Sequence, residues 1–386
     1  MASLFGATGQ QLAIRETALS FASEKLAPMA VRWDRKKHFP VDVLREAAAL
    51  GFAGINAGEE FGGVGLARLD SVIIFEALAT GCPSIAAYLS VHNMCVWMID
   101  AFGSEAQRRA FLPRLCTMAS LSSYCLTEPG SGSDAAALRT RAERRGDDYV
   151  LSGEKQFISG AGASGSEHLY VVMARTGGEG PGGVSALLVE GGTPGLTLGV
   201  AETKMGWNAQ PTHAVSFADC RVPTRNLLGR EGAGFKIAMG GLDGGRLNIG
   251  ACSLGGGQAA LDRSILYMRD RKAFGRRLDE FQALQFKLAD MATELEAARA
   301  LLWKAAAALD ARAPDATTLC AMAKRVATDA GFAAANEALQ LHGGYGYLAD
   351  YGIEKIVRDL RVHQILEGAN EIMRVIVARS LLETSK

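Results

Sequence analysis

The sequence predicts an α+β chain with a helical N-terminal region, a β-rich middle region and a helical C-terminal region. Apolar residues recur at helical spacing up to about residue 118 and again after residue 234, whereas short β-prone runs separated by glycine-rich turns fill the stretch between them. With 386 residues, the chain is long enough for two or three domains. We expect an N-terminal helical domain over 1–120, a middle β domain over 121–230 and a C-terminal helical domain over 231–386.

Periodic patterns place the individual elements. The first helices are predicted by two apolar stripes, and Gly51 follows the second stripe where a glycine commonly ends a helix. The stripes consist of Leu12, Leu19, Leu26, Ala30 and Trp33, and of Val43, Leu44, Ala47 and Leu50. The predicted strands of the middle region include 149–151, 169–172 and 184–189, and the predicted C-terminal helices are 237–268, 281–309, 317–341 and 372–382.

Composition argues against several classes of protein. Lys plus Arg and Asp plus Glu number 41 each, so the chain lacks the positive charge typical of nucleic-acid binding. The seven cysteines are odd in number and none are spaced as C-x-x-C, which argues against a disulfide framework and a structural zinc site. His342 has no other ligand type nearby at metal-binding spacing, and we expect no metal.

The chain is expected to be a soluble intracellular protein. Residues 1–10 contain no basic segment followed by an apolar core, and no later apolar stretch looks long enough to cross a bilayer. These features favour the cytoplasm of a bacterium. The alternative is the mitochondrial matrix, for a protein whose presequence has been removed.

Glu367 is the most informative single residue. It precedes Gly368 and the start of the last predicted helix, which we place at Ala369 or Asn370, with Asn370 suited to be the N-cap. The free N–H groups of the first helical turn can stabilise negative charge while the carboxylate removes a proton, which is half of an enolate-forming site. The alternative is that Glu367 only stabilises the positive end of the helix dipole.

A loop rich in glycine and hydroxyl side chains, residues 124–134, opens the middle region. Its glycines allow a ligand to approach the backbone closely, and Thr127, Ser131 and Ser133 supply hydroxyl donors for a ring system or a phosphate. The loop matches neither the G-x-G-x-x-G pattern nor a P-loop. An ordinary turn is the alternative.

Five motifs together resemble those of the acyl-CoA dehydrogenase family, in that family's order and spacing over essentially the whole chain. They are YCLTEPGSGSD at 124–134, FIS at 157–159, RKAFG at 271–275, QLHGG at 340–344 and LEG at 366–368. The resemblance implies an N-terminal helical domain, a middle β-barrel or sandwich and a C-terminal four-helix bundle, with FAD between the β domain and the C-terminal helices. The helical, β, helical pattern agrees with this fold.

The resemblance also implies which residues contact FAD. Residues 340–344 would reach the cofactor from a neighbouring subunit, and Arg271 would contact it through its guanidinium. The alternatives are a solvated charge for Arg271 and a glycine-capped helix end for 340–344. The implied FAD-binding residues are Tyr124, Leu126, Thr127, Gly132, Ser133, Phe157, Ile158, Ser159, Arg271, Phe274, Phe281, Gln282, Gln340, Leu341, Gly343, Gly344, Ala369, Asn370 and Glu371.

For catalysis, the resemblance implies that Glu367 removes the α-proton of a thioester, with its pKa raised by burial. Its backbone N–H and a ribityl hydroxyl of FAD would hold the thioester carbonyl, and flavin N5 would take the β-hydride. One branch of the family carries the base at the position of Gly245, which has no side chain here. The implied substrate-binding residues are Ser133, Asp243, Gly244, Gly245, Arg246 and Arg379.

The likeness extends to the branch that oxidises isobutyryl-CoA to methacrylyl-CoA in valine degradation, through residues 75–82, 91–95 and 206–212. We therefore expect a dehydrogenase of short branched acyl-CoA that passes electrons to electron-transfer flavoprotein and forms a homotetramer, with no nucleic-acid or membrane partner. The alternatives are activity on another short or 2-methyl-branched acyl-CoA, electron transfer to oxygen, or a flavin-binding module without turnover.

Overall fold

A computed structural model describes residues 6–383. The predicted outer domains also include 1–5 and 384–386, which lie outside the described residues. The N-terminal part is helical, as the apolar periodicity predicts. Its helices are α1 (Gly9–Phe21), α2 (Ala30–Lys36), α3 (Val41–Ala49), α4 (Arg68–Gly81), α5 (Pro83–Phe102) and α6 (Glu105–Cys116), with a π-helical turn, Ala22–Leu26, directly after α1.

Local sequence explains where several of these helices begin and end. Thr8 and Gln11 form a reciprocal capping box at the start of α1, and Ser104 and Gln107 form another at the start of α6. Gly51 has a φ of 83° two residues after α3 ends, which confirms its predicted role. The predicted apolar stripes were wrong at their outer members, because Leu12 and Leu50 are each 46% exposed.

Helix α5 contradicts the expectation that no apolar stretch is long enough to cross a bilayer. By length and composition it is the one helix of residues 6–383 that qualifies as a membrane span. However, 72% of its most apolar 18-residue window is buried inside the protein. Its apolar surface is therefore covered by neighbouring helices and strands, as in the core helix of a globular domain.

The middle part is an eight-stranded sheet that includes all three predicted strand segments. Its order is β6-β7-β3-β2-β4-β5-β8, and β1 pairs in parallel with β4. The strands are β1 (Ser122–Cys125), β2 (Arg141–Arg145), β3 (Asp148–Ser159), β4 (Leu169–Arg175), β5 (Val184–Glu190), β6 (Leu196–Leu198), β7 (Thr212–Pro223) and β8 (Leu227–Leu228). The register of β3 against β7 shifts between Lys155 and Ile158, an irregularity that re-aims the side chains between them.

The C-terminal part is again helical, and all four predicted helices are present. They are α7 (Gly234–Asp270), α8 (Gln282–Asp310), α9 (Ala316–Leu341) and α11 (Asn370–Glu383). The sequence did not predict α10 (Ile353–Arg361) or the short hairpin of β9 (Lys272–Ala273) and β10 (Arg276–Arg277). Helix α11 begins at Asn370, but the prediction of Asn370 as its N-cap was wrong, since the side chain bonds to α9.

Glycines in α7 let this long helix pack closely against its neighbours. A Cβ on Gly257 would lie 3.0 Å from the Cα of Gly331 in α9, and one on Gly255 would lie 2.1 Å from the carbonyl oxygen of Glu76 in α4. One apolar core therefore joins the N-terminal and C-terminal helices, with α7 at its centre. The middle of α7, residues 243–246, also lies directly against the candidate site.

Candidate active site

The turn 367–370 carries Glu367 between α10 and α11. Glu367 has a φ of 56° and Gly368 a φ of 88°, so two consecutive residues are left-handed. Such a conformation is strained for glutamate and persists only where the surroundings hold it. The carbonyl oxygen of Glu367 accepts a hydrogen bond from Arg246 Nε at 3.4 Å, and that of Gly368 accepts one from Lys324 Nζ at 2.9 Å.

The carboxylate of Glu367 is directed into the protein. Its Oε2 is buried and has no hydrogen-bond partner, although other parts of the residue are accessible. Burial raises the pKa of Glu367 to about 7, while the positive charges of Arg246 and Lys324 act in the opposite direction. A carboxyl group with this pKa is suited to accept a proton near neutral pH.

Gly245 of α7 faces this carboxylate. A Cβ at Gly245 would lie 2.0 Å from Glu367 Oε2 and 3.0 Å from Oε1, closer than van der Waals contact permits. The missing side chain is therefore what gives the carboxylate its space. The position of Gly245, where one branch of the family carries its base, therefore lies next to the carboxylate of Glu367.

Asp243 and Arg246 form a buried ion pair beside the turn, at 2.7 Å. Asp243 also accepts a hydrogen bond from Thr317 of α9 at 2.7 Å, while Arg246 reaches the backbone of Glu367. A pair that is this buried costs more to desolvate than an ordinary surface pair, so both partners must stay in place. This arrangement agrees with a role in bracing Glu367. Gly244 lies against the guanidinium of Arg68, 2.5 Å from its would-be Cβ.

Further buried polar atoms in the described chain lack partners on this part of the molecule. Tyr124 Oη is unpartnered, and burial, followed by the proximity of Cys95 and Glu367, raises the pKa of this phenol. Asn248, one turn after Gly245 on α7, is buried with both amide atoms unpartnered. Buried polar groups normally have partners, so such atoms indicate a place for a ligand or water. No local signal in the sequence identified Asn248.

Two of the predicted flavin motifs lie side by side. Ser123 Oγ donates to the Ser159 carbonyl at 2.6 Å, and the Gln156 N–H donates to the Thr127 carbonyl at 2.8 Å. Phe157 has a φ of 61° and is 63% exposed, next to the loop of residues 126–133. An exposed aromatic ring beside hydroxyl side chains and open glycine backbone fits an aromatic, hydrogen-bonding cofactor such as FAD. Ile158 is buried behind this surface.

A buried ion pair between Lys155 and Glu128 stabilises the same loop. Lys155, fully buried, donates to Glu128 Oε1 at 2.8 Å and to the Leu126 carbonyl at 3.1 Å. Glu128 in turn accepts from the N–H groups of Arg139 and Thr140. Glu128 lies within the motif at 124–134, and no role was predicted for it. Leu126 is buried, whereas Gly132 and Ser133 are exposed at the loop's outer edge.

A second group of predicted FAD residues lines a surface depression of about 500 Å³. Its lining includes Arg271, Gln340, Leu341, Gly343 and Gly344, and the Arg271 guanidinium lies 5.3 Å from the ring centre of Tyr345. No hydrogen bond, ion pair or ring contact within residues 6–383 joins this group to the loop of Tyr124. The resemblance implied a contact from a neighbouring subunit for residues 340–344 and named no subunit for Arg271, which lines the same depression of the chain as those residues.

The hairpin before α8 presents further predicted contacts to solvent. Phe274 is 97% exposed, Phe281 is half-buried against the guanidinium of Arg276 at 3.9 Å, and Gln282 is exposed. Phe274 packs at 6.4 Å from the ring of Phe281, the other aromatic residue of the predicted FAD contacts in this segment.

The remaining predicted residues divide between the two ends of α11. Ala369 and Asn370 lie in the turn with Glu367, and Glu371 is exposed beside them. Arg379 is exposed and lines a different open depression with Thr318, Ile376, Ser380 and Glu383. No other predicted site residue lines that depression. Within residues 6–383, no three His, Cys, Asp or Glu side chains are grouped so that they could hold a metal ion.

A buried carboxylate with a near-neutral pKa, next to a loop suited to an aromatic cofactor, defines a site for removing a proton beside a bound redox group. Comparison with protein families supports this class. The C-terminal, middle and N-terminal domains of acyl-CoA dehydrogenases match residues 232–382, 123–220 and 8–119. The chain belongs to the acyl-CoA dehydrogenase family. It is an FAD-dependent enzyme, as the sequence predicted.

Similar proteins and structures cover nearly the whole chain. The mitochondrial isobutyryl-CoA dehydrogenases of Bos taurus and Dictyostelium discoideum are 56% and 55% identical, over 98% and 97% of this chain and 90% of each relative. Butyryl-CoA dehydrogenase from Megasphaera elsdenii is 39% identical with a TM-score of 0.94, covering 98% of this chain and 100% of that one. These matches confirm the predicted fold class.

Two further solved structures concern the cofactor and the electron acceptor. A chain from a study of the electron transferring flavoprotein of Acidaminococcus fermentans is 39% identical with a TM-score of 0.94, covering 98% of this chain and 100% of that one. A structure described as PigA with FAD and proline is 29% identical with a TM-score of 0.94, covering 98% of this chain and 99% of that one.

Proposed function

We propose that this enzyme oxidises a short branched acyl-CoA, with isobutyryl-CoA as the substrate and methacrylyl-CoA as the product. The observation that carries the chemistry is the carboxyl group of Glu367, whose Oε2 is buried and unpartnered and whose pKa burial raises to about 7. The choice of acyl group is supported by the relatives from Bos taurus and Dictyostelium discoideum, which are named for isobutyryl-CoA.

In this proposal Glu367 removes the α-proton of the thioester. The backbone N–H of Glu367 donates to the thioester carbonyl oxygen and stabilises the negative charge that forms there, a contribution worth roughly 3 to 4 kcal/mol per donor in comparable sites. FAD, when bound, accepts the hydride that leaves the β-carbon. Because burial disfavours the charged form of the Glu367 carboxyl group and raises its pKa, the ionised carboxylate is a better base than a solvated one.

The predicted FAD and substrate residues remain proposals for this chain. The hydrogen bonds between the loop of Thr127 and the segment of Phe157 support one shared flavin surface. Asp243, Gly244, Gly245 and Arg246 lie together at the base, which supports their role around the acyl group, whereas Ser133 is at the outer edge of the flavin loop. Arg379, at the far end of α11, has the weakest structural support.

Arg271 and residues 340–344 contact one and the same FAD in this proposal, because they share a depression on one chain. If that FAD is bound mainly by a neighbouring subunit, Arg271 and residues 340–344 of this chain both contact it from across the subunit interface. The assembly is then at least a dimer, with the homotetramer as the proposed state.

Electron-transfer flavoprotein is the proposed acceptor. The 39% identical chain from the Acidaminococcus fermentans study supports this choice. The relatives from Bos taurus and Dictyostelium discoideum are mitochondrial, which is the alternative compartment; the bacterial cytoplasm remains a prediction. The domain limits 1–120, 121–230 and 231–386 likewise remain proposals.

A direct test is to purify the protein and record its flavin spectrum, then follow anaerobic bleaching by isobutyryl, 2-methylbutyryl, butyryl and isovaleryl thioesters of CoA. The proposal predicts the largest kcat/KM for isobutyryl-CoA. A preference for butyryl-CoA would contradict the substrate but retain the reaction. Peroxide production in air as fast as turnover with electron-transfer flavoprotein would identify an oxidase instead.

A further inference from the structure

Lys324 contacts the turn 367–370 directly, although the sequence did not connect it with Glu367. It belongs to α9, is fully buried, and donates to the Gly368 carbonyl and to Asn370 Oδ1, both at 2.9 Å. A buried ammonium without an anionic partner is costly, so its position beside a catalytic turn needs an explanation.

The ammonium of Lys324 does not form a hydrogen bond with the Glu367 carboxylate. Its bonds go to a carbonyl and to an amide, and Glu367 Oε2 has no partner. A direct ion pair would stabilise the ionised carboxylate and make it a poor base. The arrangement instead places a positive charge near the carboxylate while leaving its oxygen available to a substrate proton.

The same contacts fix the backbone of the turn. Arg246 holds the carbonyl of Glu367 from α7, and Lys324 holds the carbonyl of Gly368 from α9. Asn370 links the turn to α9 again, because its amide donates to Asp329 Oδ1 at 2.8 Å and to Thr328 Oγ1 at 3.0 Å. The left-handed φ angles of Glu367 and Gly368 are thus stabilised from two helices.

We propose that Lys324 is a positioning residue that holds the turn 367–370 in its left-handed form and places a positive charge beside the base, so that it sets both the direction of the carboxylate and the pH range of catalysis. This inference rests on the proposed role of Glu367. The other groups around the turn are Arg246, Asp243 and Cys252 of α7, Asp329 of α9, Glu371 of α11, Cys95 of α5 and Tyr124 of β1.

The sign of the pH effect follows from charge. The positive charge of Lys324 lowers the pKa of Glu367 against the larger, opposite effect of burial. Removing that charge therefore raises the pKa of Glu367, and the base stays protonated to higher pH. The acid limb of the pH profile of kcat/KM should move upward in a neutral variant.

Three variants separate charge from position. Lys324→Met removes the charge and both hydrogen bonds, and Lys324→Gln removes the charge but keeps a donor. Asn370→Ala keeps the charge but removes the bonds of the Asn370 side chain to Lys324, Thr328 and Asp329. Lys304→Met, on the exposed surface of α8, is the matched control. The readout is the anaerobic rate of flavin reduction by isobutyryl-CoA across pH, with the FAD content of each variant measured beforehand.

We expect Lys324→Met to retain FAD, to lose about tenfold or more in flavin reduction at neutral pH, and to show an acid limb at higher pH than the wild type. Lys324→Gln should show the same pH shift with a smaller loss, so it keeps the test valid if the methionine variant does not fold. Asn370→Ala should lose rate without shifting the acid limb.

An unchanged pH profile in both neutral variants, with FAD bound, would overturn the inference. Its failure can be distinguished from failure of the proposed function by Glu367→Gln measured in parallel. If Glu367→Gln is inactive while both Lys324 variants behave like the wild type, only the role of Lys324 is rejected. If Glu367→Gln reduces its flavin at the wild-type rate, the proposed function itself fails.

Discussion

Glu367 Oε2 occupies the space that a side chain at Gly245 would fill, 2.0 Å from the position of a Cβ on that glycine. The carboxylate is attached to a turn before α11, but its location is defined by the backbone of α7. The two residues are 122 positions apart in the sequence. A glycine in the middle of a helix normally lowers helix stability, by roughly 1 kcal/mol relative to alanine, and here that cost creates room for the base.

Gly245→Ala should displace the carboxylate and lower kcat/KM by about a hundredfold, because a shift of roughly 1 Å at a reacting group has an effect of that size. FAD should remain bound, since the flavin loop is not touched. The control is Gly240→Ala in the same helix, where a Cβ would lie 3.4 Å from the nearest atom, on Trp97. Equal activities of the two variants would show that Gly245 does not define the position of the base.

The activity should depend on pH through Glu367. Burial raises its pKa to about 7, and only the ionised form can accept the α-proton. We therefore expect kcat/KM for flavin reduction to rise with pH through about 7 and to be lost below it. A stopped-flow profile between roughly pH 5 and 9 measures this. An acid limb close to pH 4.5 would mean that the carboxyl is solvated in the free enzyme.

The same group should make stability fall with rising pH. The unfolded chain releases the Glu367 proton at about pH 4.5 and the folded chain at about pH 7, so in this window the folded state binds more protons and is destabilised as pH rises. Glu367→Gln removes this dependence and should raise the free energy of unfolding at pH 8, relative to wild type, by up to about 3 kcal/mol. At pH 4 the two proteins should differ little.

Urea unfolding of the apoproteins at the two pH values provides the comparison. Glu294→Gln, which replaces an exposed carboxylate on α8, serves as the control. It should have a similarly small effect on the free energy of unfolding at pH 4 and at pH 8. A Glu367→Gln variant that is destabilised at pH 8 would contradict the buried position of the carboxylate.

The flavin loop should depend on the buried pair of Lys155 and Glu128. Lys155→Met leaves the buried Glu128 carboxylate with the N–H groups of Arg139 and Thr140 but without its cationic partner, and should cost about 3 kcal/mol of stability. It also removes the bond to the Leu126 carbonyl, so the affinity for FAD should fall. The double variant Lys155→Met with Glu128→Gln should recover part of the stability. Recovery and FAD affinity are measured by urea unfolding and flavin fluorescence.

Local patterns were enough to predict most elements of this fold. The helices α7, α8, α9 and α11 follow from apolar periodicity, and the strand segments within β3, β4 and β5 follow from β-prone runs between glycines. Helix α10 was missed although Ile353, Ile356 and Leu360 recur at helical spacing and are buried. The apolar length of α5 was underestimated, since scattered small and polar residues interrupt its hydrophobic run.

The site was less accessible to such reasoning, because its contacts join distant positions. Lys324 precedes Gly368 by 44 residues and Arg246 precedes Glu367 by 121, and neither contact leaves a local pattern. Asn370 was assigned to cap its own helix, as its residue type suggests, but a buried lysine on another helix offered its side-chain oxygen a stronger partner. The placement of Arg271 beside residues 340–344 also required the folded chain.

The central claim is that Glu367 is the base, and the most direct measurement is the anaerobic bleaching of FAD in Glu367→Gln on addition of isobutyryl-CoA. The account predicts a yellow protein with a normal flavin content whose bleaching is slower than that of the wild type by about a thousandfold or more. Bleaching at the wild-type rate in a variant that binds both FAD and thioester would contradict it.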